Sequence, residues 1–266
     1  MRRVWITLGL LMLLLWGGFT PRNAAQAGAL QARLDQFPHW RSPPSLPAAQ
    51  GDLYYPDWLA GEWTVTSTLI EIAAPLAPDL VTPGFESNRK QLGKGITFPV
   101  RFLPAKPTAP WPQSPFPIGL AAQGIVADRV YNGTSLTEAL MGKDVLESIQ
   151  VGRSPNRQVA RFRNGQELVT KISDRATETS EEGTFISSEL YQQEFRRDAQ
   201  IYFNQVENTI AYRRVSVNPP QVTANQVTAI YLSPQDPDYF KARQQPVALY
   251  RYEMQFMPVL NPAEKL

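Results

Sequence analysis

Between Ala248 and Phe256 the residues Ala248, Tyr250, Tyr252, Met254 and Phe256 fall on one parity, and Leu249, Arg251, Glu253 and Gln255 on the other. A strand sends successive side chains to opposite faces of a sheet, so this segment predicts a strand with an inward aromatic face and a wet outer one. The stretch from Trp63 repeats the pattern, with Trp63, Val65, Ser67 and Leu69 on one side and Thr64, Thr66 and Thr68 on the other. Helical patterning would bring apolar residues back every three or four positions, and neither segment does so.

Similar reading predicts further strands at 96–103, 124–131, 145–151, 159–163, 167–173, 185–196, 207–217 and 226–232. Asn164-Gly165 marks a two-residue hairpin turn. A short helix is expected from a cap at Thr134 or Ser135 to Met141. Ten prolines between Pro75 and Pro117 rule out a long helix or central strand there, and Phe85, Phe98, Phe102, Trp111 and Phe116 argue for a loop packed on the body. About nine short-spaced strands with one or two short helices point to an all-β fold, a closed antiparallel β-barrel or a sandwich, with a long proline-rich loop. Closure into a barrel is the simplest way to remove aggregation-prone edges.

The first residues combine basic Arg2 and Arg3, an apolar run from Val4 to Phe19 and the small residues Ala25 and Ala27. That layout predicts a secretory signal over 1–27, too short in its apolar run to span a membrane comfortably. A retained anchor is the alternative. The chain then divides into an arm or linker over 28–50, a single β-barrel domain over 51–260 and a tail over 261–266. The formal net charge of +2 turns slightly negative once Arg2, Arg3 and Arg22 leave with the signal. The basic balance is thus a targeting feature, and neither nucleic-acid binding nor stable membrane insertion after cleavage is expected. With no cysteine there is no disulfide, thiolate metal site or thiol nucleophile.

Catalytic patterns are lacking. The single histidine, His39, falls in the proline-flanked arm, which excludes a histidine-based triad or multi-histidine metal site within the domain. Glu189, Glu194, Asp174, Glu178, Glu181 and Glu182 have no acid-base or calcium-loop spacing and read as a solvated face. No cofactor or metal is called for. The inward set is more informative: Trp63, Val65, Tyr212, Tyr231, Tyr250, Tyr252 and Met254 would line the barrel. Aromatic rings with a few hydroxyls suit a flat, mostly apolar ligand, and would equally fill a solid core.

At Trp58-Leu59-Ala60-Gly61-Glu62-Trp63 the chain resembles the lipocalin-like (calycin) superfamily, with its Gly-x-Trp at the start of the first barrel strand. The resemblance implies that Gly61 allows a tight turn and that Trp63 plugs one end. It also implies an arginine from the final strand on that tryptophan, for which Arg251 is the nearest candidate although its parity is outward. A longer stretch resembles an uncharacterised family of cyanobacterial and plastid proteins exported toward the thylakoid lumen or periplasm. It comprises Tyr55 to Leu69, Ala74-Pro75-Leu76-Ala77-Pro78, Pro83-Gly84-Phe85-Glu86 and Phe98-Pro99-Val100-Arg101-Phe102. That resemblance implies a compartment and no activity. Two functions remain open: binding a hydrophobic small molecule such as a lipid or pigment, or assisting photosynthetic complex subunits through the proline-rich 80–117 loop.

Overall fold

The computed structural model describes residues 28–82, 84–105 and 124–259. The expected signal over 1–27, the tail over 261–266 and most of the proline-rich stretch beyond Ala105 lie outside them. Ten strands form one antiparallel sheet: β1 (Gly61–Ala73), β2 (Gly95–Pro104), β3 (Ile125–Ala127), β4 (Leu146–Val151), β5 (Arg157–Phe162), β6 (Glu167–Thr179), β7 (Phe185–Arg197), β8 (Gln200–Val217), β9 (Pro220–Leu232) and β10 (Ala248–Pro258). Their order is β3-β2-β1-β10-β9-β8-β7-β6-β5-β4, so the long strands β6 to β10 run as a meander and β1 joins β10. Among the described residues the four α-helices are short: α1 (Ala29–Asp35), α2 (Phe85–Arg89), α3 (Arg129–Met141) and α4 (Tyr239–Ala242).

The sheet curls into a half-barrel, and its end strands β3 and β4 do not pair with each other. Two other elements span the gap. Helix α3 packs against both β2 and β4. Its Asn132 accepts from the Arg101 backbone N–H at 2.7 Å and donates to the Arg101 carbonyl at 3.0 Å, supplying the edge of β2 with the two bonds a neighbouring strand would make. A Cβ on Gly133 would come within 2.9 Å of the Ile149 side chain, so glycine permits the helix to approach β4 this closely. The second element is a strap over 47–60. The Ala49 N–H donates to Ser173 and the Arg175 N–H to Pro47, both at 2.8 Å, on the part of β6 that extends past β5; the Tyr55 N–H then donates to Ile125 of β3 at 2.8 Å.

One expected strand is thereby redrawn. The reading of 124–131 as a strand gives way after Ala127, because the Asp128 carboxylate accepts from the Tyr131 N–H at 3.1 Å and starts α3 six residues before the expected cap. The arm is not a solvated linker either. Leu30, Leu34, Phe37 and Trp40 are buried against Ala176, Ile186, Val227, Ala229 and Leu249 on the convex face of the sheet. Glu178 of β6 fastens α1 by accepting from the N–H groups of Leu30 and Gln31 at 2.9 and 3.1 Å, satisfying donors left open in its first turn. Leu249, expected on a wet face, is fully buried as a result.

Candidate functional site

The concave face is apolar at both ends and polar between. At one end Trp63, Val65, Phe98, Val100, Phe102, Tyr212, Met254 and Phe256 pack with Leu53, Tyr55 and Leu59 of the strap. At the other, Leu69, Tyr191, Tyr250 and Tyr252 pack with Phe85 of α2 and with Leu76 and Leu80. Between them the strand registers set Arg175, Glu189, Asn208, Thr228 and Tyr250 in one row across five strands. The adjacent row contains Ser187, Ile210, Gln226, Tyr252 and Leu69.

Arg175 is 1% exposed and Glu189 4%. The Arg175 Nε donates to Glu189 Oε1 at 2.6 Å and its Nη2 to Asn156 Oδ1 at 2.9 Å. A β-bulge between Ile172 and Asp174 turns Arg175 inward. Counted by simple alternation from the inward Ile172, Asp174 would hold that place. Arg129, at the start of α3, pairs with the Asp52 carboxylate and also donates to the Pro155 carbonyl. Along the row, Gln226 Nε2 donates to Thr228 Oγ1 at 3.0 Å and Thr228 Oγ1 to Asn208 Oδ1 at 3.1 Å, while Asn88 of α2 donates to the Tyr250 hydroxyl at 3.2 Å.

Burial pushes the Glu189 carboxyl above its ordinary value, and the guanidinium groups of Arg175 and Arg129 oppose that rise. The Tyr191 phenol is held well above its usual range by burial first and by the Glu189 charge second. Tyr250 is pushed up to about 12 by burial, against the hydrogen bonds it receives. All three tyrosines, Tyr252 included, are therefore neutral donors at physiological pH. Two sealed atoms in these rows, Arg175 Nη1 and Gln226 Oε1, and the Tyr191 hydroxyl in the adjoining cluster have no hydrogen-bond partner among the described residues. Buried polar atoms are normally paired, and an orphan costs about 1–3 kcal/mol.

Six of the seven residues expected to line the interior do so. Trp63 donates from Nε1 to the Leu59 carbonyl at 2.8 Å and meets Phe256 edge-on at 6.4 Å. Val65 and Met254 lie in the same cluster. Tyr212 packs edge-on to Tyr55 at 5.9 Å and to Phe256 at 6.0 Å. Tyr250 and Tyr252 belong to the other end. Tyr231 is the exception: it lies on the convex face beneath α1 and donates to Glu207 Oε2 at 2.7 Å, since Ile230 takes the inward parity on β9. Gly61 has φ +113, a backbone setting that favours glycine. Arg251 stacks on the arm's Phe37 at 5.7 Å and pairs loosely with Glu71, so it is not the partner of Trp63.

Glu189, expected on a solvated face, is the chief residue that the sequence reading misplaced; its parity with Tyr191 and Phe195 was the available signal. Arg175, Tyr191 and Gln226 were not singled out either. His39 is exposed in the arm. Among the described residues no group of three His, Cys, Asp or Glu side chains could hold a metal ion, and no helix is long and apolar enough to cross a membrane.

These features define an all-β protein: a curled antiparallel half-barrel, completed by a strap and one helix, whose concave face has a polar belt between two aromatic ends. The chain belongs to the family of the domain of unknown function DUF6816, whose model matches residues 47–259. The match starts where the strap meets β6, and so takes in every element that builds the interior. Comparison with curated proteins and with solved structures returned no match.

Proposed function

We propose that this protein binds a small, mostly apolar molecule, a lipid or a pigment, inside the half-barrel, and that it does so without catalysis. The observation that supports this reading is the presence of sealed, unpaired atoms on Arg175 and Gln226 between two aromatic ends, and on Tyr191 at one of those ends. Apolar rings supply contact area for a ligand body, and a few convergent polar atoms orient its end. We further propose that the chain is an exported protein of cyanobacterial or plastid lineage, acting in the thylakoid lumen or periplasm, in keeping with its leader-like 1–27 segment and its lipocalin-like start at Gly61 and Trp63.

The test is native purification followed by organic extraction and mass spectrometry. A small molecule recovered in near-stoichiometric amount is expected. Protein that emerges bare from its native host, and whose tyrosine and tryptophan fluorescence ignores a panel of lipids and pigments, would overturn the reading. The second reading, an assembly role toward photosynthetic complex subunits through 80–117, draws support from exposed Val81, Leu92 and Leu103 along that stretch. Because Phe85 and Phe98 belong to the core, its test is the combined variant Val81→Ser, Leu92→Ser and Leu103→Ser, which leaves them in place. Loss of recovered complex subunits from a thylakoid pull-down would support it, and unchanged recovery would sink it.

A further inference from the structure

We propose that the interior selects an apolar molecule ending in a neutral oxygen, a carbonyl or a hydroxyl, over the same molecule ending in a carboxylate. This rests on the binding reading above and names the chemistry of the ligand's polar end.

The first argument is charge. Among the described residues the belt holds the pair Arg175 with Glu189 on the concave face, and the pair Arg129 of α3 with Asp52 of the strap, each cation in contact with its own acid. Among the described residues the one other buried charged side chain, Glu207, belongs to the convex face, where Arg33 neutralises it. A carboxylate entering this belt would be an uncompensated negative charge beside Glu189, in surroundings that screen it poorly. A fatty-acid site needs a spare cation. Here the guanidinium nearest the unpaired atoms is already matched at 2.6 Å.

The second argument is the inventory of free hydrogen-bonding atoms. With Nε and Nη2 of Arg175 committed, Nη1 is left as a donor. The Tyr191 hydroxyl, sealed and unpartnered, can donate or accept. In the strand registers Tyr191 lies one row to one side of the Arg175–Glu189 row, and Gln226 one row to the other. Gln226 donates through Nε2 to Thr228, which leaves Oε1 as an acceptor. A carbonyl oxygen can accept from Arg175 Nη1 or from Tyr191. A hydroxyl can do the same and also has a proton for an acceptor such as Gln226 Oε1. A carboxylate has nothing to donate, and the glutamine oxygen would face it as a second unpaired acceptor.

Retinal, retinol and retinoic acid share one polyene body and differ only at the head, which makes them suitable probes. Binding to the full mature chain, followed by quenching of protein fluorescence at roughly pH 8, where carboxylates are ionised, should rank retinal and retinol at least about tenfold tighter than retinoic acid. Replacing Glu189→Gln leaves Arg175 unmatched and should raise retinoic acid affinity relative to retinal by a similar factor. Retinoic acid binding the unaltered protein as tightly as retinal, or more tightly, would overturn the head-group proposal while leaving an interior site in place. Failure of all three to bind would overturn the binding reading itself. The ranking on the unaltered chain decides the matter even if the Glu189→Gln protein does not fold.

Discussion

The two faces of the sheet each bury an arginine-glutamate pair, and the pairs differ in how completely they are bonded. On the convex face Glu207 is fully buried, and both its oxygens are occupied: Oε1 accepts from Arg33 Nε at 2.9 Å and Thr209 at 3.3 Å, Oε2 from Arg33 Nη2 and Tyr231, each at 2.7 Å. Arg33 also lies over the Trp40 ring at 4.1 Å, so its guanidinium is held on several sides. On the concave face the Arg175–Glu189 pair leaves Arg175 Nη1 unpartnered, and the Tyr191 hydroxyl, two residues along β7 from Glu189, is in the same state. A saturated network is what fastening an arm requires. An unsaturated one costs stability, and a protein that retains it gains from whatever completes it.

The largest effect expected from this contrast is at the arm. Arg33→Ala would strand Glu207 without a cation inside the fold and should cost about 3–5 kcal/mol in urea unfolding, with faster proteolysis within 28–46. Arg175→Ala should cost less, about 1–3 kcal/mol, because Glu189 still feels the charge of Arg129, whereas the cation acting on Glu207 is Arg33 itself. Equal losses in the two variants would break the comparison and make the interior pair a fastening of the same kind.

A matched pair of tyrosine truncations sharpens it. Tyr231→Phe removes a donor to a buried carboxylate and should lose about 1.5–3 kcal/mol. Tyr191→Phe removes a hydroxyl that has no partner, so its effect should fall within about 1 kcal/mol and can have a stabilising sign. Thermal unfolding of the two variants side by side measures the difference. A Tyr191→Phe loss as large as that of Tyr231→Phe would mean that the interior hydroxyl is already satisfied.

The frame of this molecule was legible, because Trp63 to Leu69 and Ala248 to Phe256 alternate without a break and pair in register. What joins the ends of the sheet was not. The strap and α3 close the gap through backbone bonds and one asparagine clamp, and such contacts between segments far apart leave no local pattern. The arm did leave one: Leu30 and Leu34, spaced one helical turn apart ahead of Phe37 and Trp40, form an apolar stripe that a solvated linker has no use for. The polar belt was obscured for two reasons. The β6 bulge inverts the parity on which an inward Arg175 depends, and acids near a strand pair are solvated often enough that Glu189 read as one of a solvated group. Tyr231 shows the reverse error, an aromatic assigned inward on its residue type when its neighbour Ile230 held that parity.

The smallest effect is a pH dependence, and it concerns the convex pair. Burial raises the Glu207 carboxyl above its ordinary value, and the hydrogen bond and charge of Arg33, followed by the bonds from Tyr231 and Thr209, only partly offset that rise. The folded protein therefore holds this proton to higher pH than the unfolded chain does. Below the unfolded value both states are protonated and Glu207 favours folding fully. As pH rises toward the folded value, the unfolded chain releases its proton first and that contribution is lost. Acidification from neutrality should thus recover stability through this group. Glu207→Gln lacks the titration, so the unfolding free energy of the unaltered chain should gain on that of the variant as pH is lowered from about 7 toward about 5. The subtraction cancels the remaining carboxylates, including Glu189, whose raised value acts in the same direction. A difference that shrinks on acidification would mean that Arg33 and Tyr231 outweigh burial, so that the arm is fastened most firmly when Glu207 is charged.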